Sequence, residues 1–168
     1  MDEAFRILDD GRVFFDYGPA SMVVTARRGD ENLSDLAASA FPFLRDSLSE
    51  IAGALPILRQ YPDGMDYSEL TGLPRVMAES VLATGEPTLT PMAAVAGTVA
   101  DAMADWLFAR GADLVAVNNG GDVAQASARA HRREKTVTPP AMPRVRLRPP
   151  RPLVHTPPMP SSARISTT

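Results

Sequence analysis

A phosphate site needs hydrogen-bond donors that converge, and one segment of this 168-residue chain is rich in them. Gly85-Glu86-Pro87-Thr88-Leu89-Thr90-Pro91-Met92 opens a long helical pattern. Thr90 is a good N-cap, and Pro91 sits where a helix tolerates proline best. The start of a helix leaves backbone N–H groups without partners, and its dipole favours an anion such as a phosphate. Thr88 and Thr90 add hydroxyl donors. Spacings of three and four then place Ala94, Gly97, Asp101 and Asp105 on one side. Ala94 and Gly97 are small enough for a ligand or another backbone to approach closely. Asp101 either faces solvent or binds a cation or a polar ligand group. A capped core helix, packing its alanine side on a sheet, accounts for the same residues.

A second group is Asn118-Asn119-Gly120-Gly121-Asp122, after the buried-type strand Leu114–Asn118. Gly120 and Gly121 permit positive φ and let backbone amides come close to a ligand. Asp122 would accept hydrogen bonds from a ribose or base, or approach a metal. The same residues also read as a hairpin turn, for which Asn-Gly is a strong signal. The helix, a loop and the strand return the chain so that both groups can meet at one end. Other chemistries lack their residues. The chain has no cysteine, and its two histidines, His131 and His155, both follow residue 125. A thiolate zinc site, a cysteine nucleophile, a Ser-His-Asp triad and a histidine-ligated zinc therefore cannot come from residues 1–125. Neither GxGxxG nor GxxxxGK[ST] is present.

The elements that must position these residues follow from pattern. Arg12–Gly18 and Ser21–Ala26 read as strands joined across Gly18-Pro19 as a hairpin. Asn32 or Ser34 caps the helical pattern that begins at Leu33. Pro42 either kinks that helix or starts a new one in its first turn. Leu44, Leu48, Ile51, Ala52 and Leu55 continue the apolar stripe. Pro56 and Pro62 discourage regular helix, and Tyr61-Pro62-Asp63-Gly64 reads as a turn. Pro74–Thr84 reads as a short helix ending before Gly85. The helix capped by Thr90 should run to about Ala109 and stop at Gly111. Its large apolar residues are Met92, Val95, Val99, Met103, Trp106 and Leu107. Hairpin strands with long helices predict an α+β fold.

The formal charge of −3 averages two unlike pieces. Residues 1–125 carry 8 basic and 19 acidic residues, a net of −11, with all 11 glycines and every aromatic. Residues 126–168 carry 9 basic residues against Glu134 alone, a net of +8, with 9 of the 16 prolines. Such a stretch buries too little apolar surface to offset the entropy of ordering, so 126–168 is expected to be a disordered tail. It suits a protein partner that reads proline motifs, as at Arg148-Pro149-Pro150-Arg151-Pro152. Without aromatics for stacking it is poorly suited to nucleic acid. An out-of-frame reading of a GC-rich gene also accounts for it. No apolar run is long enough to span a membrane, and the acidic N-terminus is no secretory signal, so a cytoplasmic protein without a membrane partner is expected.

FDYGPASMVV, GEPTLTPMAAVAGTVADAMADWL and VNNGGDVA together resemble an uncharacterised bacterial and archaeal family related to ApbE. ApbE proteins, once called thiamine-biosynthesis lipoproteins, are FAD:protein FMN transferases. The resemblance spans roughly residues 10–125 and implies a T-fold-like α+β core. It also implies binding of FAD or FMN, with Mg²⁺ in full-length relatives, and transfer of FMN to a target threonine. Carried over residue by residue, it matches Ala93–Asp101 and Val117–Asp122. The cofactor-binding residues it supports are Thr88, Thr90, Gly97, Asp101, Asn118, Asn119, Gly120, Gly121 and Asp122. Two departures matter. Val95-Ala96-Gly97 stands where ApbE enzymes have a lysine before the glycine. The proline-rich tail also stands where the metal-binding half would follow. The resemblance thus implies a truncated, inactive or incomplete transferase. A non-catalytic interaction protein using its basic tail is the alternative.

Overall fold

The computed structural model describes residues 4–62 and 66–127. Within them four strands come first, five α-helices follow and two strands end the run, an α+β arrangement. The first strands are β1 (Phe5–Ile7), β2 (Val13–Tyr17), β3 (Ala20–Arg28) and β4 (Glu31–Asn32). Helices α1 (Ser34–Ala38), α2 (Phe41–Gly53), α3 (Leu55–Leu58), α4 (Gly72–Thr84) and α5 (Val95–Phe108) follow. Strands β5 (Leu114–Asn119) and β6 (Asp122–Ser127) complete the sheet. The strand order is β1-β2-β3-β5-β6, with β4 also paired to β3, and every pairing is antiparallel.

Strand β3 organises the sheet. Gly18-Pro19 joins it to β2 as a two-residue hairpin, with Tyr17 opposite Ala20 and positive φ at Gly18. A positive φ at the first turn residue suits the right-handed twist of the flanking strands. On its other edge β3 takes β5 in the register Met22 to Asn119 and Val24 to Val117. Val13, Phe15, Met22, Val24, Val115 and Val117 are fully buried and belong to one core with the helices. Their period of two, against half-buried Phe14, Val23 and Thr25, shows the sheet covered more completely on one face. Phe15 stacks on Phe41 at 6.4 Å between ring centroids, which ties β2 to the start of α2.

Several local expectations change. Asn32 lies in β4, and Leu33, not Asn32 or Ser34, occupies the N-cap of α1. The Gly29-Asp30 reversal lets β4 fold back on β3, and a residue bound into that ladder is not free to cap. The Ser34 hydroxyl instead donates to the Gly11 carbonyl at 2.6 Å. Pro42 starts α2 rather than kinking a longer helix. Pro56 likewise sits in the first turn of α3, where its missing N–H costs nothing. Helix α4 ends as expected, with Gly85 in the left-handed region at φ 70°. The Tyr61–Gly64 turn lies partly outside the described residues. The expected disordered tail lies outside them from residue 128 on, and β6 itself continues to Ser127. No helix among the described residues is long and apolar enough to cross a membrane.

Candidate functional site

The approach to α5 differs from a plain capped helix. Thr90 has the extended backbone of an N-cap, but its side chain makes no capping hydrogen bond. Pro91–Ala94 form a 3₁₀ turn, and the α-helix begins only at Val95. Thr88 is engaged nearby. Its backbone N–H and its hydroxyl both donate to the Glu86 carboxylate, at 3.1 and 2.7 Å. These bonds, the hydroxyl's first, hold the Glu86 carboxyl below its ordinary value. An anion placed at Thr88 would therefore meet a carboxylate.

Helix α5 has two working sides. Val99, Ala100, Met103, Ala104 and Leu107 are buried in the core. Ala94, Gly97, Asp101 and Asp105 line a groove, as their spacing requires. The groove has a volume of about 590 Å³ and is completed by α4 and β6. Leu73, Val76 and Ser80 come from α4, and Val123 and Ala124 from β6. Helix α4 reaches it because Met77, Ala78 and Val81 bury its adjacent stripe. Both charged lining residues, Asp101 and Asp105, are carboxylates.

Gly97 stands out for what does not surround it. A Cβ added there would meet nothing within 4 Å. It is an interior helical residue, where glycine costs roughly 0.5–1 kcal/mol relative to alanine. Neither backbone conformation nor packing inside the fold calls for it.

The Asn118–Asp122 segment forms a hairpin. Asn119 pairs with Asp122, so Gly120 and Gly121 are the whole loop, with φ of 63° and 107°. Positive φ at both loop residues is one of the two favoured forms of a two-residue connection, and glycine adopts it freely. The two asparagines serve it differently. Asn118 is exposed, and its Oδ1 accepts from the Gly121 N–H at 3.1 Å. Asn119 is buried, and its Nδ2 donates to the Ala96 carbonyl of α5 at 3.3 Å.

The nine nominated residues thus fall into three sets. Gly97 and Asp101 lie in the groove. Thr88 and Thr90 precede α5. Asn118, Asn119, Gly120, Gly121 and Asp122 close the β5–β6 hairpin, which touches α5 through Asn119. The α4 contribution was not anticipated, although Leu73, Val76 and Ser80 recur at spacings of three and four. That stripe is mixed in polarity, so it does not read as a face from sequence alone. Among the described residues no cluster of three or more metal-ligating side chains occurs.

A family model described as AbpE bacteria matches residues 5–154, and the chain belongs to that family. No curated protein matches the chain. The matched family is a different one from ApbE, and the expected relation to the FMN transferases is corrected accordingly. The motifs that suggested it have local explanations. Gly120-Gly121 suits a two-residue hairpin with positive φ at both positions, and the alanine and glycine run is one side of a helix beside a groove. The family match continues past the change of charge at residue 125.

Proposed function

We propose, for this member of the AbpE bacteria family, that the groove between α4, α5 and β6 binds a nucleotide of the flavin class, FAD or FMN. Gly97 carries the proposal: it is an interior helical glycine that the fold does not need and that opens onto the groove. The groove volume of about 590 Å³ falls within the usual range for small-molecule sites. A planar ring would lie over Ala94 and Gly97, where no side chain intervenes. Leu73, Val76 and Val123 supply apolar contact. Asp101 and Asp105 suit the hydroxyls of a sugar or ribityl chain, because a carboxylate accepts at both oxygens. The same carboxylates repel phosphate, which is expected toward the amides near Pro91–Ala94.

The reading is one of binding and assigns no reaction. Its test is titration of the purified chain with FMN and FAD, followed by thermal shift and flavin fluorescence. Gly97→Leu fills the groove and should abolish the shift while leaving the far-UV circular dichroism spectrum unchanged. Equal shifts in both proteins, or none in the unmodified chain, would sink the proposal. A chain that ignores flavin, yet captures partners only when residues 126–168 are present, would favour the interaction protein.

A further inference from the structure

The pair Asn119-Gly120 carries a reactivity of its own. The backbone nitrogen of the residue after an asparagine can attack that asparagine's Cγ, and a glycine there offers no steric hindrance. The Gly120 nitrogen gives up its proton as the N–Cγ bond forms, the Cγ–Nδ2 bond breaks, and Nδ2 takes up a proton and leaves as ammonia. Water then opens the cyclic imide at either carbonyl, giving aspartate or isoaspartate. Water is the sole co-reactant, and no electrons are exchanged with an oxidant or reductant.

The fold holds both nitrogens of this reaction away from it. The leaving nitrogen, Asn119 Nδ2, donates to the Ala96 carbonyl at 3.3 Å. The attacking nitrogen, that of Gly120, donates to the Ser21 carbonyl at 3.3 Å. Asn119 is 8% exposed and is fixed in the sheet opposite both Met22 and Asp122. An extended residue must rotate about ψ before the next nitrogen can reach its Cγ. The restraint is nevertheless local. It sits at the two-glycine end of a hairpin, with Gly120 and Gly121 exposed, where opening is easier than global unfolding.

We propose that Asn119 is a conformation-gated deamidation site that records opening of the β5–β6 hairpin end. While the end is closed the amide persists. Once it opens, the side chain converts to an acid. The change is one-way because the ammonia is lost, and it also weakens reclosure, since a carboxylate in the place of Nδ2 has no proton to donate and would face the Ala96 carbonyl oxygen. The inference does not depend on what the groove binds.

The test follows the mass gain of amide-to-acid conversion in the peptide containing Asn119. The full-length chain is incubated at mildly alkaline pH, folded and in denaturant, with fragmentation to separate Asn118 from Asn119. Conversion at Asn119 should be many-fold faster in denaturant, and equal rates would overturn the proposal. Asn118→Ala removes the side chain that accepts from the Gly121 amide, so it should speed conversion several-fold in the folded protein. Hydrogen exchange at Gly120 reports whether that variant opens the end. Faster exchange without faster conversion would also overturn it. Asn119→Asp should lower the melting temperature, and an unchanged value would refute the weakened reclosure.

Discussion

Two glycines show how opposite the same residue type can be in one fold. Gly72 opens α4 at φ 55°, and a Cβ there would run into the Glu50 side chain. The end of a glutamate can swing aside, so the left-handed backbone is the main cost. Gly72→Ala should lose about 1–2 kcal/mol, read as a lower urea midpoint. Gly97→Ala should gain about 0.5–1 kcal/mol, since it removes a helical glycine where space is open. A loss there would mean that the groove is filled by the protein itself. Thr88 offers a titration test. Its bonds lower the folded-state pKa of Glu86, so their contribution to stability is present above the ordinary glutamate range. It is lost as pH falls through the lowered folded value. Thr88→Val removes the hydroxyl donor, and the Glu86 midpoint measured by NMR should rise toward the ordinary range. No movement would show that the hydroxyl is not the cause.

At the level of elements, α5 couples the core to the groove. Met103 and Leu107 are fully buried on its inner side. Leu107→Ala should cost about 2–5 kcal/mol, the usual range for a buried leucine. Trp106, stacked on Phe43 at 5.9 Å and covered by Arg110, gives the fluorescence signal for that measurement. Thr90→Ala should cost well below the roughly 1 kcal/mol of a typical N-cap loss, because its side chain makes no capping bond. A full-sized loss would place that bond back in solution. The start of α5 also marks the reach of local signals. Thr90-Pro91 correctly announces a helical turn. The α-helix begins only at Val95, and around that switch Met92, Ala94 and Val95 pack on the core, contacts that no cap residue encodes.

Across the whole molecule, the sheet is closed by partners distant in sequence. The Asp113 carboxylate accepts from the Gly29 N–H at 2.9 Å, and the Gly111 carbonyl accepts from Arg28 Nε at 2.9 Å. A chain ending after Phe108 would strip one edge of β3 and expose Met22 and Val24. It should lose the cooperative thermal transition seen by circular dichroism, and a retained transition would show that β1–β4 and the helices form a self-sufficient unit. By itself the sequence determined the α+β class, the Gly18-Pro19 hairpin, the Gly85 stop and the two sides of α5. These depend on residues near one another in the chain, through periodicity, proline and positive φ. Only the tertiary structure decided that β5 pairs with β3, that α4 lines the groove, and that Asn119 reaches Ala96 while Thr88 turns to Glu86. Those outcomes depend on which surfaces meet after the chain folds back, and a side chain's partner across space has no counterpart in its local pattern.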